Sequence, residues 1–319
     1  MFTWKKKGRI FIPQEIKNTE WLKDFAQAPS VLQFESFIRV YFSCRPSPDI
    51  NGQYVSYSAF VDLNKSNLFE IINLAKQPIL DLGERGTFDE FGTYPISVIR
   101  KDNEVWGYYA GWTRCESVPF NVSIGLAISK DNGETFKKIG HGPLISHSLD
   151  EPFVLSGPKI RIFNNVFYLF YIAGSKWIEN NGKPEPVYKI RMATSKDGIN
   201  WIKENKNLIS NIIGDNEAQA SPDVIFKNGK YHMFFCFRHG LGFRSKEKGY
   251  RIGYAYSFDL LNWHRDDTKV GINVSDEGWD SEMISYPHVF EIEEKIYMFY
   301  LGNQVGKYGF GLAELEGEL

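Results

Sequence analysis

The chain has 319 residues, 43% of them hydrophobic, with 37 Lys and Arg against 39 Asp and Glu and a net charge of −2. This supplies apolar surface for a substantial core, and the evenly mixed charges exclude the basic stripe that a nucleic-acid partner requires. No run approaches 18 uninterrupted apolar residues, and the basic start Met1-Phe-Thr-Trp-Lys-Lys-Lys lacks the apolar stretch of a secretory signal, so neither a membrane partner nor export is expected.

In chain order, a short helical turn is expected over residues 19–25, and then a repeat takes over. Pro29, Pro95, Pro158, Pro222 and Pro287 each open a short apolar run, as in Pro95-Ile-Ser-Val-Ile and Pro222-Asp-Val-Ile-Phe, at spacings of 66, 63, 64 and 65 residues. A fixed period of this kind sets the architecture. No Pro-, Gly- or Ser-rich linker interrupts it, so residues 1–319 are expected to form a single domain.

Residues 95–138 show one unit. Pro95-Ile-Ser-Val-Ile reads as a strand, and Val105-Trp-Gly-Tyr-Tyr-Ala-Gly-Trp as a second, aromatic one. Ser123-Ile-Gly-Leu-Ala-Ile-Ser reads as a third, and the turn Lys130-Asp-Asn-Gly leads into Thr135-Phe. Residues 158–202 and 222–264 repeat the order, through Val166-Phe-Tyr-Leu-Phe-Tyr and Ile190-Arg-Met-Ala-Thr-Ser, then Lys230-Tyr-His-Met-Phe-Phe and Ile252-Gly-Tyr-Ala-Tyr-Ser. The Ser195-Lys-Asp-Gly-Ile-Asn-Trp type of piece reads as a hairpin turn with a packed aromatic.

Five all-β units of four antiparallel strands specify a five-bladed β-propeller. An open solenoid would need polar caps, which the sequence lacks. The last unit, residues 287–319, offers only three strands, and residues 7–12 can supply the fourth, closing the ring by pairing the two ends of the chain. Cys44, Cys115 and Cys236 lie in apolar or aromatic runs and read as buried, reduced thiols of a cytoplasmic protein.

In a propeller the segments before the five prolines ring one mouth of the channel. Asp24, Glu90, Glu217 and Glu282 each stand five residues before their proline, and Glu151 seven before. They are either loop acids with an inherited structural role or carboxylates converging on one pocket. Arg45, Arg114 and Arg238 each follow a second strand, and Arg244 and Arg251 lie in the next connection. With Trp112, His239 and Tyr250 they could edge the same mouth and hold phosphate or carboxylate, or pair with the acids as a structural belt. The six histidines show no metal-ligand spacing, so neither metal nor cofactor is expected.

The Pro-initiated inner strands, aromatic second strands and Ser-Lys-Asp-Gly-x-x-Trp turns together resemble the five-bladed propeller glycosidases: arabinanases, xylosidases, invertases and levansucrases, with the mannoside phosphorylases. The chain looks closest to glycosidase-like proteins of bacterial surface-polysaccharide clusters, through Phe25-Ala-Gln-Ala-Pro, Arg39-Val-Tyr-Phe-Ser, Phe88-Asp-Glu-Phe-Gly and Gly278-Trp-Asp-Ser-Glu-Met-Ile-Ser-Tyr-Pro. The resemblance implies carboxylate acid/base chemistry on a glycoside. One departure stands out. The arabinanase- and invertase-like families carry Asp before the proline in the first two blades and Glu near that of the third, where this chain has Ala28, Tyr94 and Gly157, with Ser156.

The chemistry is therefore expected either to use carboxylates a few residues upstream or to have been lost. The first reading takes Glu90 and Glu151 as the catalytic pair, with Glu217, Glu282 and Asp89 as supporting acids. Gln27, Arg45, Trp112, Arg114, Arg238, His239 and Arg251 would position an acidic or phosphorylated sugar conjugate. A phosphorylase or glycosyltransferase using phosphate or a nucleotide sugar, and a non-catalytic carbohydrate-binding propeller, are the alternatives.

Overall fold

A computed structural model describes residues 1–17 and 19–319 and arranges them as five four-stranded antiparallel sheets in a ring. The chain enters on β1 (Thr3–Phe11). The first blade is β2 (Asp24–Gln33), β3 (Phe37–Arg45), β4 (Tyr57–Asn64) and β5 (Asn67–Leu74), and the second is β6 (Gly92–Lys101), β7 (Glu104–Arg114), β8 (Phe120–Ser129) and β9 (Lys137–Lys138). The third comprises β10 (Leu155–Phe163), β11 (Val166–Asn180), β12 (Lys183–Ser195) and β13 (Ile202–Lys203). The fourth comprises β14 (Ala218–Lys227), β15 (Lys230–Arg238), β16 (Arg251–Ser257) and β17 (His264–Arg265). The fifth takes β18 (Ser285–Ile292), β19 (Lys295–Leu301) and β20 (Phe310–Glu316), with β1 on its outer edge.

The ring closes as the sequence implies, with pairs running from Thr3↔Glu316 to Phe11↔Phe310, so the closing strand begins before residue 7. Helical structure is displaced from its expected place. A 3-10 turn forms at Pro13–Glu15, where proline suits a helix start, while residues 19–25 hold only a turn bond from Leu22 N to Thr19 O and the start of β2.

The five prolines mark five bulges. In each innermost strand one extra residue interrupts the register, between Gln27 and Ser30, Thr93 and Ile96, Ser156 and Lys159, Ala220 and Asp223, and Ser285 and His288. Proline has no N–H for the ladder, so within a sheet it belongs at such a position. The preceding residues Ala28, Gly157, Ser221 and Tyr286 have φ of 52°, 59°, 49° and 52°, and the Tyr94–Pro95 bond is cis. The five strands are thus turned at one level of the ring.

The Ser-x-Asp turns lock neighbouring blades. Ser129 Oγ and Ser195 Oγ cap their own turns by accepting from Gly133 N and Gly198 N. The carbonyls of these glycines then accept from Tyr41 and Tyr108 of the preceding blade, each at 2.8 Å.

On the axis, just beyond the bulges, the inner strands share a buried polar network. His288 Nε2 accepts from Val31 N at 3.0 Å, which leaves Nδ1 to face Asp223 at 2.9 Å. Asp223 also takes Val289 N–H at 2.6 Å and the Arg161 guanidinium. Lys159 Nζ donates to Pro29 O at 3.0 Å. Burial opposes the Asp223 charge, but Arg161, His288 and Lys159 outweigh it and hold the carboxyl below its usual range. Burial pushes the His288 imidazole down to about 4 and the Lys159 ammonium down to about 8, in both cases despite Asp223.

The His288 shift sets a pH dependence. Between the unfolded imidazole value of about 6.5 and about 4, the unfolded chain binds a proton that the folded one refuses. Stability should therefore fall as pH drops through this window. The urea midpoint is expected to decline from pH 7 to 4.5 in the natural protein and to decline less in His288→Gln. Parallel declines would remove His288 as the cause.

Candidate functional site

The bulges open onto a cavity of about 620 Å³ at one mouth of the ring, with walls from all five blades. Gln27 and Arg45 come from the first blade, Tyr94 and Trp112 from the second, Ser156, Glu185 and Tyr188 from the third. Ser221, Arg238 and Tyr250 come from the fourth, and Glu282 and Tyr286 from the fifth. Gln27, Tyr94, Ser156, Ser221 and Tyr286 all sit in or beside a bulge, so the repeat itself delivers one cavity residue per blade.

One side is aromatic. Tyr94 stacks on Trp112 with centroids 5.4 Å apart and planes 17° apart, Trp112 meets Phe120 at 4.5 Å, and Phe120 meets Trp177 at 5.4 Å. Trp112 Nε1 donates to Tyr94 O at 2.5 Å, fixing the indole against the bulge. Phenols continue the lining from Tyr94, which faces Tyr188 and Tyr286. Tyr188 and Tyr250 share a hydrogen bond of 2.7 Å, and burial raises the Tyr94, Tyr250 and Tyr286 hydroxyls above their usual pKa. These hydroxyls stay protonated at neutral pH and offer donors to a ligand.

Of the three cavity arginines, Arg244 pairs with Glu185, and the other two differ in availability. Arg238 is 2% exposed and fully engaged: Nε donates to Tyr250 Oη at 3.0 Å, Nη1 to the carbonyls of His239 and Gly240, and Nη2 to Pro186 O and Tyr188 Oη. It holds the tyrosine pair in place and has no spare donor aimed at a ligand. Arg45 donates Nε to Ser56 Oγ at 3.1 Å and Nη2 to Gln27 Oε1 at 3.3 Å, and packs 4.4 Å from the Phe25 ring. Its other N–H groups have no protein acceptor among the described residues. Neither arginine pairs with a carboxylate among the described residues, so the cavity holds two guanidinium charges without an ionic partner.

Three other residues expected at the mouth are placed elsewhere. Arg114 pairs with Asp49 at 3.3 Å and lies over Phe91. Arg251 donates to the carbonyls of Tyr250, Glu282 and Lys246, bracing a loop. His239 joins the backbone pairing with Lys248 and does not line the cavity.

The carboxylates correct the expectation most. Of the five acids proposed, only Glu282 lines the cavity. Asp89, Glu151 and Glu217 are buried at 1%, 1% and 0% exposure and are engaged within their own blades. Asp89 takes the Tyr109 hydroxyl at 2.8 Å and Lys138 at 2.6 Å. Glu151 takes the Tyr171 hydroxyl at 2.7 Å, Lys203 at 2.6 Å and Arg191 at 3.3 Å. Asp280 repeats this with Tyr300 at 3.0 Å and Lys6 at 2.7 Å. Each acid precedes its tyrosine by 20 residues.

In the fourth blade Glu217 pairs with Arg265 at 2.6 Å and accepts from Gln219, Ile212 N and Ile213 N. Although burial opposes its charge, these donors lower its pKa. The acids therefore clamp the first strand of a blade to its second and fourth. Glu90 is half-buried, accepts only from Gly86 N and also lies off the cavity, so Glu90 and Glu151 do not face each other across it.

A second cavity carboxylate is one the sequence reading missed. Glu185 stands on β12 with its side chain 13% exposed, paired to Arg244 at 2.7 Å. Tyr188, three residues further along β12 and also on the cavity wall, was missed for the same reason: among the described residues the extended β11–β12 hairpin has no counterpart in the other blades, so no repeat points to it. Among the thiols, Cys44 and Cys236 are buried, and burial pushes Cys236 up to about 12, whereas Cys115 is exposed on the β7–β8 connection, contrary to expectation.

The two groups of acids should separate on mutation. Glu151→Gln, which breaks a buried ion pair, should cost about 2–4 kcal/mol. Glu282→Gln, at an exposed position, should stay within about 0.5 kcal/mol. Equal urea-unfolding losses in the two variants would contradict the clamp.

Two proteins of Mycobacterium tuberculosis, the uncharacterized proteins Rv1502 and MT1551, are each 35% identical to this chain over 316 residues, covering 98% of it and 99% of their own length. No family model matches the chain. Among solved structures, one described as a glycoside hydrolase superposes with a TM-score of 0.76 at 16% identity, covering 98% of this chain and 92% of that one. The beta-1,2-mannobiose phosphorylase from Listeria innocua superposes with a TM-score of 0.69 at 13% identity, covering 99% and 96%. At these identities the likeness establishes the shared propeller fold.

Proposed function

The chain belongs to the family of the uncharacterized proteins Rv1502 and MT1551 of Mycobacterium tuberculosis, and we propose that it is a glycosidase-like enzyme acting on a sugar that carries a phosphate or carboxylate. The observation that supports this reading is the cavity itself, which joins an aromatic wall to a phenol and hydroxyl wall beneath an arginine with free donors. Trp112 and Phe120 offer flat apolar faces for a pyranose ring. Gln27, Ser156, Ser221 and the tyrosines offer hydrogen bonds to its hydroxyls. Arg45 offers a fork for an anionic substituent.

Glycoside cleavage needs one carboxyl group to protonate the leaving oxygen and a second to activate the acceptor or to attack the anomeric carbon. We assign these roles to Glu185 and Glu282, the two carboxylates on the cavity wall. Isolated buried charge is costly, and an anionic substrate would supply the counter-charge that the Arg45 and Arg238 region lacks. Inorganic phosphate would satisfy the free donors of Arg45 in the same way, which favours phosphorolysis as a second reading.

On a panel of glycosides bearing uronate or sugar-phosphate units, Glu185→Gln and Glu282→Gln should each reduce turnover by at least about 100-fold. Arg45→Gln should weaken anionic substrates more than neutral ones. Full turnover in both carboxylate variants would overturn the assignment. Sugar release that rises with added inorganic phosphate would identify the phosphorylase chemistry.

A further inference from the structure

Glu185 and Arg244 occupy a junction. Both, together with Phe120, border the central cavity and also a side recess of about 440 Å³ formed by residues 115–120 and 182–185. Their ion pair of 2.7 Å lies between the two spaces. The partners are unequal in exposure: the Glu185 side chain is 13% exposed and the Arg244 side chain 70%. Arg244 is otherwise held by packing on Phe243 at 4.4 Å, whose ring also covers Arg238 at 3.7 Å.

We propose that this pair is a substrate-operated latch, in which the anionic group of the substrate takes Arg244 from Glu185 and so frees Glu185 for proton transfer. This rests on the reading of the cavity as a site for an anionic sugar. An ion pair with one partner in water is weak, so a phosphate or carboxylate entering from the cavity competes for Arg244 at little cost. Without its cation, the Glu185 carboxylate, 13% exposed, has no other ion-pair partner among the described residues and is left to face the substrate. The sugar that brings an anion thereby switches on the group that must handle a proton, while a neutral sugar leaves Glu185 paired. Arg244 becomes a specificity-determining residue, and the side recess is where the displaced side chains or the next portion of the substrate can lie.

The latch makes an unusual demand: removing the Glu185 charge should improve binding of anions. Isothermal titration with glucose 6-phosphate and with glucuronate, on the full chain, tests it. Glu185→Gln should tighten both ligands about three- to tenfold, Arg244→Gln should weaken them by a similar factor, and adding Glu185→Gln to Arg244→Gln should give no gain. Unchanged or weaker binding by Glu185→Gln, with anions still bound by the natural protein, would overturn the latch and leave the anionic-sugar reading standing. Failure of the natural protein to bind either anion at millimolar concentration, while glucose binds, would overturn both.

Discussion

The bulge at the proline of each inner strand is the constraint on which the rest of the structure depends. A strand that ran straight would alternate its side chains evenly between the two faces of its blade. The extra residue at Ala28, Tyr94, Gly157, Ser221 and Tyr286 breaks that alternation at one level of the ring. Below the break, Lys159, Asp223 and His288 meet on the axis and close the channel. Above it, the strands diverge enough for side chains to line a cavity instead of filling it. The same feature therefore makes both the floor and the walls of the site.

This is also why the fold was legible. A proline recurring every 63 to 66 residues has to be accommodated by the sheet in the same way each time, so its period counts blades directly. The site was less legible, and the acids show why. Carboxylates recur near the same offset because Asp89, Glu151 and Asp280 share a structural partner, a tyrosine 20 residues on, with a lysine from the blade's outer strand. Recurrence in a repeat protein identifies what every unit needs in order to fold. What only one unit has, such as the long hairpin carrying Glu185 and Tyr188, leaves no periodic trace. Gln27, Arg45 and Trp112 were placed at the cavity from sequence because they flank the bulges or lie at the ends of second strands, a position that is not sufficient alone, since Arg114 at the end of β7 turns to Asp49.

The balance of charge around the axis reinforces the chemical reading. Arg161 pairs with Asp223, Lys159 bonds the Pro29 carbonyl and meets His288 Nδ1 at 3.2 Å, and Arg238 is enclosed by phenols and carbonyls. Dipoles can stabilise a buried guanidinium without cancelling its field, so the floor and one wall of the cavity remain attractive to anions. Asp89, Glu151 and Glu217 are turned into the blades, each against its own lysine or arginine. Most of the carboxylates near the inner strands are thus spent in the clamps, which leaves Arg45 and Arg238 at the cavity with no carboxylate partner among the described residues, beside Glu282 and the Glu185–Arg244 pair.

Rigidity and adaptability are divided along the same line. The tyrosine locks between blades, the terminal strand pairing and the acid clamps hold the bulges at fixed positions, so Tyr94, Ser156, Ser221 and Tyr286 can present their polar groups with little reorganisation. Discrimination between ligands then has to come from parts outside that frame. Glu185 near the tip of the β11–β12 hairpin and Arg244 on the loop after β15 are such parts, joined to each other across the mouth and not to any clamp. On the proposed reading the ring orients the ligand while the Glu185–Arg244 pair reads its charge, so a change in the hairpin or the loop would alter selectivity without disturbing the five bulges beneath them.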